Sequence, residues 1–266
     1  MNGLHRVEHL CGTAIGLDVR DAAPPSLAED VFAWFQRVDE LFSTWRPDSE
    51  ISRLANGQLT DATVHPDVRE VLDRCESACA ASRGAFDIHV GADPRVVPRE
   101  GLGPIDPSGF VKGWALERAA SILRAEGVHR FSINAGGDIL VAGDSGKGAP
   151  WRVGIQHPWD STAVAAVLEV TDVGVATSGR AERGDHIIDP WTGQPATALM
   201  AVTVVHPDLA LADAYATAGL VLGPDGMEWL TYELGLPAMT IDNDSTVTVN
   251  AAFDTLRAMA DAPRAP

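Results

Sequence analysis

Between residues 131 and 206 the chain runs through four β-rich stretches, 131–141, 151–156, 163–170 and 201–206, separated by clusters of Gly, Pro and Asp. Helical patterns lie on either side of this block. Leu27, Val31, Trp34, Phe35, Val38, Leu41 and Phe42 recur at helical spacing, behind Ser26 and Glu29 in a capping-box arrangement. Further helices are predicted over 66–82, ended by Gly84, and over 108–126, stopped by Gly127. Asp208 opens another to 222, and Pro224 one to 234. Residues 7–19 alternate weakly and read as a strand, and 238–241 with 246–249 resemble a closing hairpin. Helices and antiparallel-looking strands in separate blocks specify an α+β fold, an antiparallel-sheet core with packed helices, rather than a doubly wound sheet.

With 266 residues the chain can bury a core as one large domain or two intimate subdomains. Residues 1–258 are read as one unit and the Ala/Pro-rich 259–266 as a frayed tail. Hydrophobic residues make up 45% and charged residues 21%, a globular composition, and the formal net charge is -17. Such an excess of carboxylates argues against nucleic acid or an anionic membrane as partner. Any anionic ligand must therefore be held locally, by a metal, a lysine or helix N-termini. No apolar leader and no membrane-length run are visible, and Cys11, Cys75 and Cys79 form no disulfide framework, so a cytoplasmic location is expected.

Four segments carry residues suited to chemistry. In Asp106-Pro-Ser-Gly109-Phe-Val-Lys112-Gly113, Gly109 lets a metal or phosphate approach the backbone, and Lys112 can pair with phosphate or with Asp106; the plain alternative is a capped surface helix with a wet lysine. Asn134-Ala-Gly136-Gly137-Asp138 follows a strand; it lacks dinucleotide-fingerprint spacing and by itself reads as a turn. Gly143 to Gly148 likewise lacks phosphate-loop spacing and reads as a hairpin turn. Ala176-Thr-Ser-Gly179 precedes Gly184-Asp-His186-Ile187-Ile-Asp189-Pro-Trp-Thr-Gly193, a loop that can present an imidazole as a base; the alternative is a histidine bonded to a neighbouring carbonyl, with Asp189 making a turn. Finally, Asp213 and Thr217 stack on one helical face among alanines, and offer hard oxygen ligands of the kind magnesium uses.

Taken together and in order, DPSGFVKGWA, INAGGD, ATSG, HIIDPWTG and LADAYATA resemble the ApbE-type FAD:protein FMN transferases, over most of the chain from Gly12 to Gly223. The resemblance implies an ApbE-like architecture of two subdomains in a single chain. It implies a magnesium ion held by the Gly109 carbonyl, Asp213 and Thr217, and FAD contacts from Cys11, Trp45, Ala85, Phe86, Asp87, Asp106, Lys112 and Ile187. His186 would be the base that activates a Ser or Thr hydroxyl on an acceptor flavoprotein, with AMP released. An FAD pyrophosphatase and a non-catalytic FAD-binding protein are the alternative readings. Cys11 stands where such proteins usually have Met, and Asp185 where a second histidine often precedes the base. The stretch from Asp87 to Asp106 is shorter than in many of them. Asp213 is taken as exposed, so its removal is expected to spare the fold.

Overall fold

The computed structural model describes residues 3–89, 105–181 and 184–258; most of the short stretch between Asp87 and Asp106, and the 259–266 tail, lie outside the described residues. Residues 7–19 form part of a hairpin rather than one strand: β1 (Leu4–Leu10) turns at Cys11 and Gly12 into β2 (Thr13–Val19). Cys11 sits at φ 51° and Gly12 at φ 72°, the positive values that a two-residue hairpin turn demands. The expected helices after them become α1 (Ser26–Phe42), α3 (Pro66–Ala81) and α4 (Ser108–Ala125), and a short α2 (Glu50–Ala55) that the pattern did not indicate stands between α1 and α3. The capping box before α1 is not formed; its first turn starts on the Pro24 and Pro25 carbonyls instead, and no side chain caps it.

The block from 131 to 206 forms six strands. β3 (Phe131–Ala135) and β4 (Asp138–Ala142) pair across the Gly136-Gly137 turn. β5 (Trp151–His157) and β6 (Asp160–Val170) pair with each other, and β7 (Val173–Gly179) pairs with β8 (Leu199–His206). The loop 143–148 is thus a passage between two sheets, not a hairpin turn, because β4 pairs with β7 and not with β5. After α5 (Leu209–Leu222), α6 (Pro224–Glu228) runs on into a π-helical turn at Trp229–Glu233. The expected closing hairpin is β9 (Ala238–Asp242) with β10 (Val247–Val249), and α7 (Ala251–Asp254) follows.

Eight strands make one sheet in the order β1-β2-β3-β4-β7-β8-β9-β10, antiparallel throughout. Period-two alternation sorts their side chains between two cores. In β8, Val202 and Val204 join the core under the helices, while Ala201 and Val205 face a second core with Trp151, Leu168 and Phe253. The β5–β6 hairpin and α7 cover that second face. Among the described residues no helix is long and apolar enough to cross a membrane.

α5 is alanine-rich and apolar nearly all round, the signature of a buried helix. It lies over β7 and β8 and against α4. Gly113 makes that contact possible, since a Cβ there would stand 2.5 Å from the Leu209 carbonyl oxygen. One turn further along α4, Glu117 accepts the Leu209 N–H at 2.5 Å. Arg74 of α3 pairs with Asp208 at 2.5 Å and reaches Glu117 at 3.7 Å.

Burial, and then the negative Asp208 beside it, push the Glu117 carboxyl up to about 7. A carboxyl whose folded-state pKa is raised binds its proton more tightly in the fold than in the unfolded chain. The stability it contributes is complete below its ordinary value of 4.5 and is lost as pH rises through about 7. Urea unfolding should therefore show the parent losing about 1–3 kcal/mol between pH 5 and 8 relative to Glu117→Gln, which cannot ionise. Parallel pH profiles for the two proteins would refute this.

Candidate metal and flavin site

The antiparallel contact of α4 with α5 has three rungs, each one helical turn from the next. At the first, a Cβ on Gly109 would stand 3.3 Å from Thr217 Oγ1 and 3.4 Å from Phe86 Cε2, so hydroxyl, glycine backbone and aromatic ring converge. At the second, the Gly113 N–H faces the Asp213 carboxylate. Glu117 and Leu209 form the third.

Asp213 is not an exposed residue: it is 3% accessible, and its Oδ2 has no hydrogen-bond partner. Burial first, then the charge of Asp138, raise its pKa well above the usual carboxylate range, while Lys112 opposes them. Asp138 is fully buried at the start of β4, with the Thr177 N–H at 3.1 Å on Oδ1 and Lys112 Nζ 2.9 Å from Oδ2. Lys112 therefore pairs with Asp138, not with Asp106, and it belongs to the site rather than to a wet helix face. Ser178 of β7 hydrogen-bonds Thr217 at 2.9 Å.

A buried carboxylate that lacks a partner needs a cation or a proton. The Asp213 carboxylate, the Thr217 hydroxyl and the nearby Gly109 backbone are all hard oxygen donors, which fits magnesium and leaves places for water and phosphate. Among the described residues no group of three His, Cys, Asp or Glu side chains is placed to hold a metal ion, so a zinc-type set has no counterpart there.

The other candidate residues fall on several neighbouring segments. The Asp106 N–H donates to the Ile88 carbonyl at 2.7 Å, which ties the start of α4 to the segment of Ala85, Phe86 and Asp87. Asp106 Oδ1 then accepts the Ser108 N–H, and Asp87 Oδ1 the His89 N–H. The Cys11 turn adjoins the Gly136 turn, because Gly136 packs on Thr13. Cys11 is exposed at the hairpin turn, with its Sγ 3.3 Å from the Phe35 carbonyl; burial of the sulfur and the nearby Asp39 push the thiol up to about 12, which argues against a nucleophile. Trp45 stands in the α1–α2 connection, 67% exposed.

His186 Nδ1 lies 3.0 Å from the Gly184 carbonyl. A carbonyl only accepts, so Nδ1 carries the proton of the neutral ring and Nε2 its lone pair. The bond to a neighbouring carbonyl and a role as base are thus compatible. Asp189 makes the turn as expected, accepting from the Trp191 N–H and the Thr192 hydroxyl. Ile187 packs against the helical core, and its carbonyl accepts from Ala196 N–H. The Trp191 indole lies beside Gly84, 3.9 Å from where a Cβ would be, so the loop bearing His186 leans on the segment bearing Phe86.

The ApbE family sequence profile matches residues 11–96 and 97–240. The chain belongs to the ApbE family. It is 29% identical to the FAD:protein FMN transferase of Klebsiella pneumoniae (strain 342), with 86% of this chain and 80% of that protein covered. A protein of that name from Rhodobacter capsulatus is 35% identical over 84% of this chain and 39% of its own length. Among solved structures, the Vibrio cholerae flavin transferase ApbE superposes with a TM-score of 0.82 at 25% identity, covering 96% of this chain and 99% of that one.

Within this ApbE member, sequence reasoning passed over two residues of the cluster as site residues, Asp138 and Ser178. Both lie in motifs that drew notice, INAGGD and ATSG. What singles them out is that they reach from the sheet to Lys112 and Thr217 on the helices above it, a relation that joins residues 26 and 39 positions apart.

Proposed function

We propose that this chain is a magnesium-dependent FAD:protein FMN transferase, which moves the FMN half of FAD onto a Ser or Thr hydroxyl of an acceptor flavoprotein and releases AMP. The observation that carries the reading is the α4–α5 contact in an ApbE family member: Gly109 meets Thr217, Asp213 faces Gly113 one turn away, and one Asp213 oxygen is buried beside Asp138 with no hydrogen-bond donor. Magnesium bound there would neutralise pyrophosphate charge and polarise the phosphorus on the riboflavin side.

The remaining work falls to side chains of the chain. The exposed Trp45 offers an aromatic face for flavin or adenine stacking, while Phe86, 4% accessible, packs behind the Gly109–Thr217 contact. Cys11, Ala85, Asp87, Asp106 and Ile187 would line the cofactor. Lys112 has three ammonium donors; the ion pair with Asp138 fixes its position, and a further donor would steady a phosphoryl oxygen. His186 Nε2 takes the proton of the acceptor hydroxyl as that oxygen attacks phosphorus. The new P–O bond forms, the pyrophosphate P–O bond breaks, and AMP departs with the electron pair.

Purified protein with FAD, magnesium and an acceptor domain bearing a Ser/Thr target motif should give yellow fluorescence that stays with the acceptor on a denaturing gel. FMN and AMP in solution without labelled acceptor would select a pyrophosphatase, and tight FAD binding without AMP a non-catalytic binder. His186→Ala should slow transfer by about 10²-fold, the usual share of a general base, while FAD affinity changes by less than about threefold. Equal loss in binding and rate would remove His186 from the role of base.

A further inference from the structure

We propose that Glu117 is a positioning residue of the metal site, a clasp that fixes the register of α4 on α5; this rests on the metal-dependent reading above. The rungs share a spacing of four residues: Gly109, Gly113 and Glu117 on one helix, Thr217, Asp213 and Leu209 on the other. Two of them hold the candidate metal ligands. The third holds none; there the Leu209 N–H donates to Glu117 Oε1 at 2.5 Å, a direct hydrogen bond from the end of α5 to α4.

That N–H is an end group of α5 with no partner inside its own helix. A side chain from α4 satisfies it, so the end of one helix is pinned to the body of the other. Arg74 reinforces the joint by pairing with Asp208 while stacking 4.9 Å over Phe110 of α4. α3, α4 and the start of α5 are thus tied at one point. Gly113 removes the side chain that would otherwise space the helices apart. It permits close approach, but with no side chain the glycine adds no interlocking contact against sliding along the helix axis. A slide would carry Gly109 past Thr217, and ligands that must meet one small octahedral ion within tenths of an ångström would separate.

The test measures magnesium binding to the full chain without FAD, by magnesium-dependent rise in melting temperature, alongside AMP release from FAD. Glu117→Ala should raise the magnesium concentration for half-saturation about tenfold, the scale of a lost supporting contact at a metal site, with FAD affinity unchanged. Glu117→Gln should restore magnesium affinity to within about twofold of the parent, because its amide oxygen still accepts the Leu209 N–H. Should Glu117→Ala not fold, Arg74→Met loosens the same joint and should weaken magnesium binding about threefold. A parent-like magnesium midpoint in Glu117→Ala, or in Arg74→Met where that variant stands in, would overturn the clasp and leave the transferase reading in place. A Glu117→Gln variant as weak as Glu117→Ala would also overturn it, since the charge and not the hydrogen bond would then matter. Absence of magnesium binding in the parent would overturn both readings together.

Discussion

Asp213→Asn should lower magnesium-dependent AMP release from FAD by about 10³-fold, equivalent to ~4 kcal/mol of lost transition-state stabilisation. The size follows from what the carboxylate is positioned to do. It is the only charged side chain among the three candidate ligands, so an asparagine keeps the shape but forfeits most of the attraction for a divalent cation. The effect on stability has the opposite sign from the usual loss of a buried polar group. Burial and Asp138 disfavour the charged form of Asp213 and outweigh the Lys112 charge and the Gly113 N–H that favour it, so the ionised carboxylate is a net cost to the metal-free fold. The melting point of the metal-free variant should equal or exceed that of the parent. At a magnesium concentration 100 times its dissociation constant the parent should gain about 2.7 kcal/mol that the variant does not. A variant that still turned over at a tenth of the parent rate, or was still stabilised by magnesium, would exclude Asp213 as a ligand.

Gly113→Ala tests the same site from the packing side. In an open helix this change stabilises by about 1 kcal/mol, because alanine is the better helix former. Here the new methyl would stand 2.5 Å from the Leu209 oxygen, 2.6 Å from its carbonyl carbon and 2.7 Å from Ala210 Cα. All three are backbone atoms of a buried helix and cannot turn aside as a side chain could. Overpacking of this kind costs about 1–3 kcal/mol and sometimes more, so it outweighs the propensity gain. We expect a net loss of about 2 kcal/mol in urea unfolding. The larger effect should be on turnover, about 10²-fold, since forcing the helices apart by even 1 Å misplaces Gly109 against Thr217. A variant as stable as the parent and fully active would mean that α4 and α5 do not need this separation.

Much of the helical framework was legible in the chain, and the reasons are local. α1, α3, α4 and α5 begin and end within about a residue or two of the positions that periodicity, Gly84, Gly127 and Asp208 indicate, because caps and apolar stripes are written in neighbouring residues. Errors arose where partners are distant. The run 7–19 has no strong turn signal, since cysteine rarely supplies the positive φ found at Cys11, and its hairpin escaped notice. The loop 143–148 carries turn residues, yet its flanking strands pair elsewhere, a choice made by β7. The expectation that Asp213 is exposed failed because α5, though short of a strong apolar stripe, is covered on nearly every side by β7, β8 and α4.

The sequence by itself determined the α+β class and supplied the candidate residues of the proposed magnesium and flavin site, because helix spacing puts Asp213 beside Thr217 and the ordered motifs resemble one family. Tertiary structure alone decided which partners those residues meet. Lys112 goes to Asp138, Thr217 to Ser178 and Gly109, and Glu117 to Leu209. The physical reason is range: periodicity and caps act over a few residues, whereas burial, ion pairing and backbone contact join segments that only the sheet order brings together.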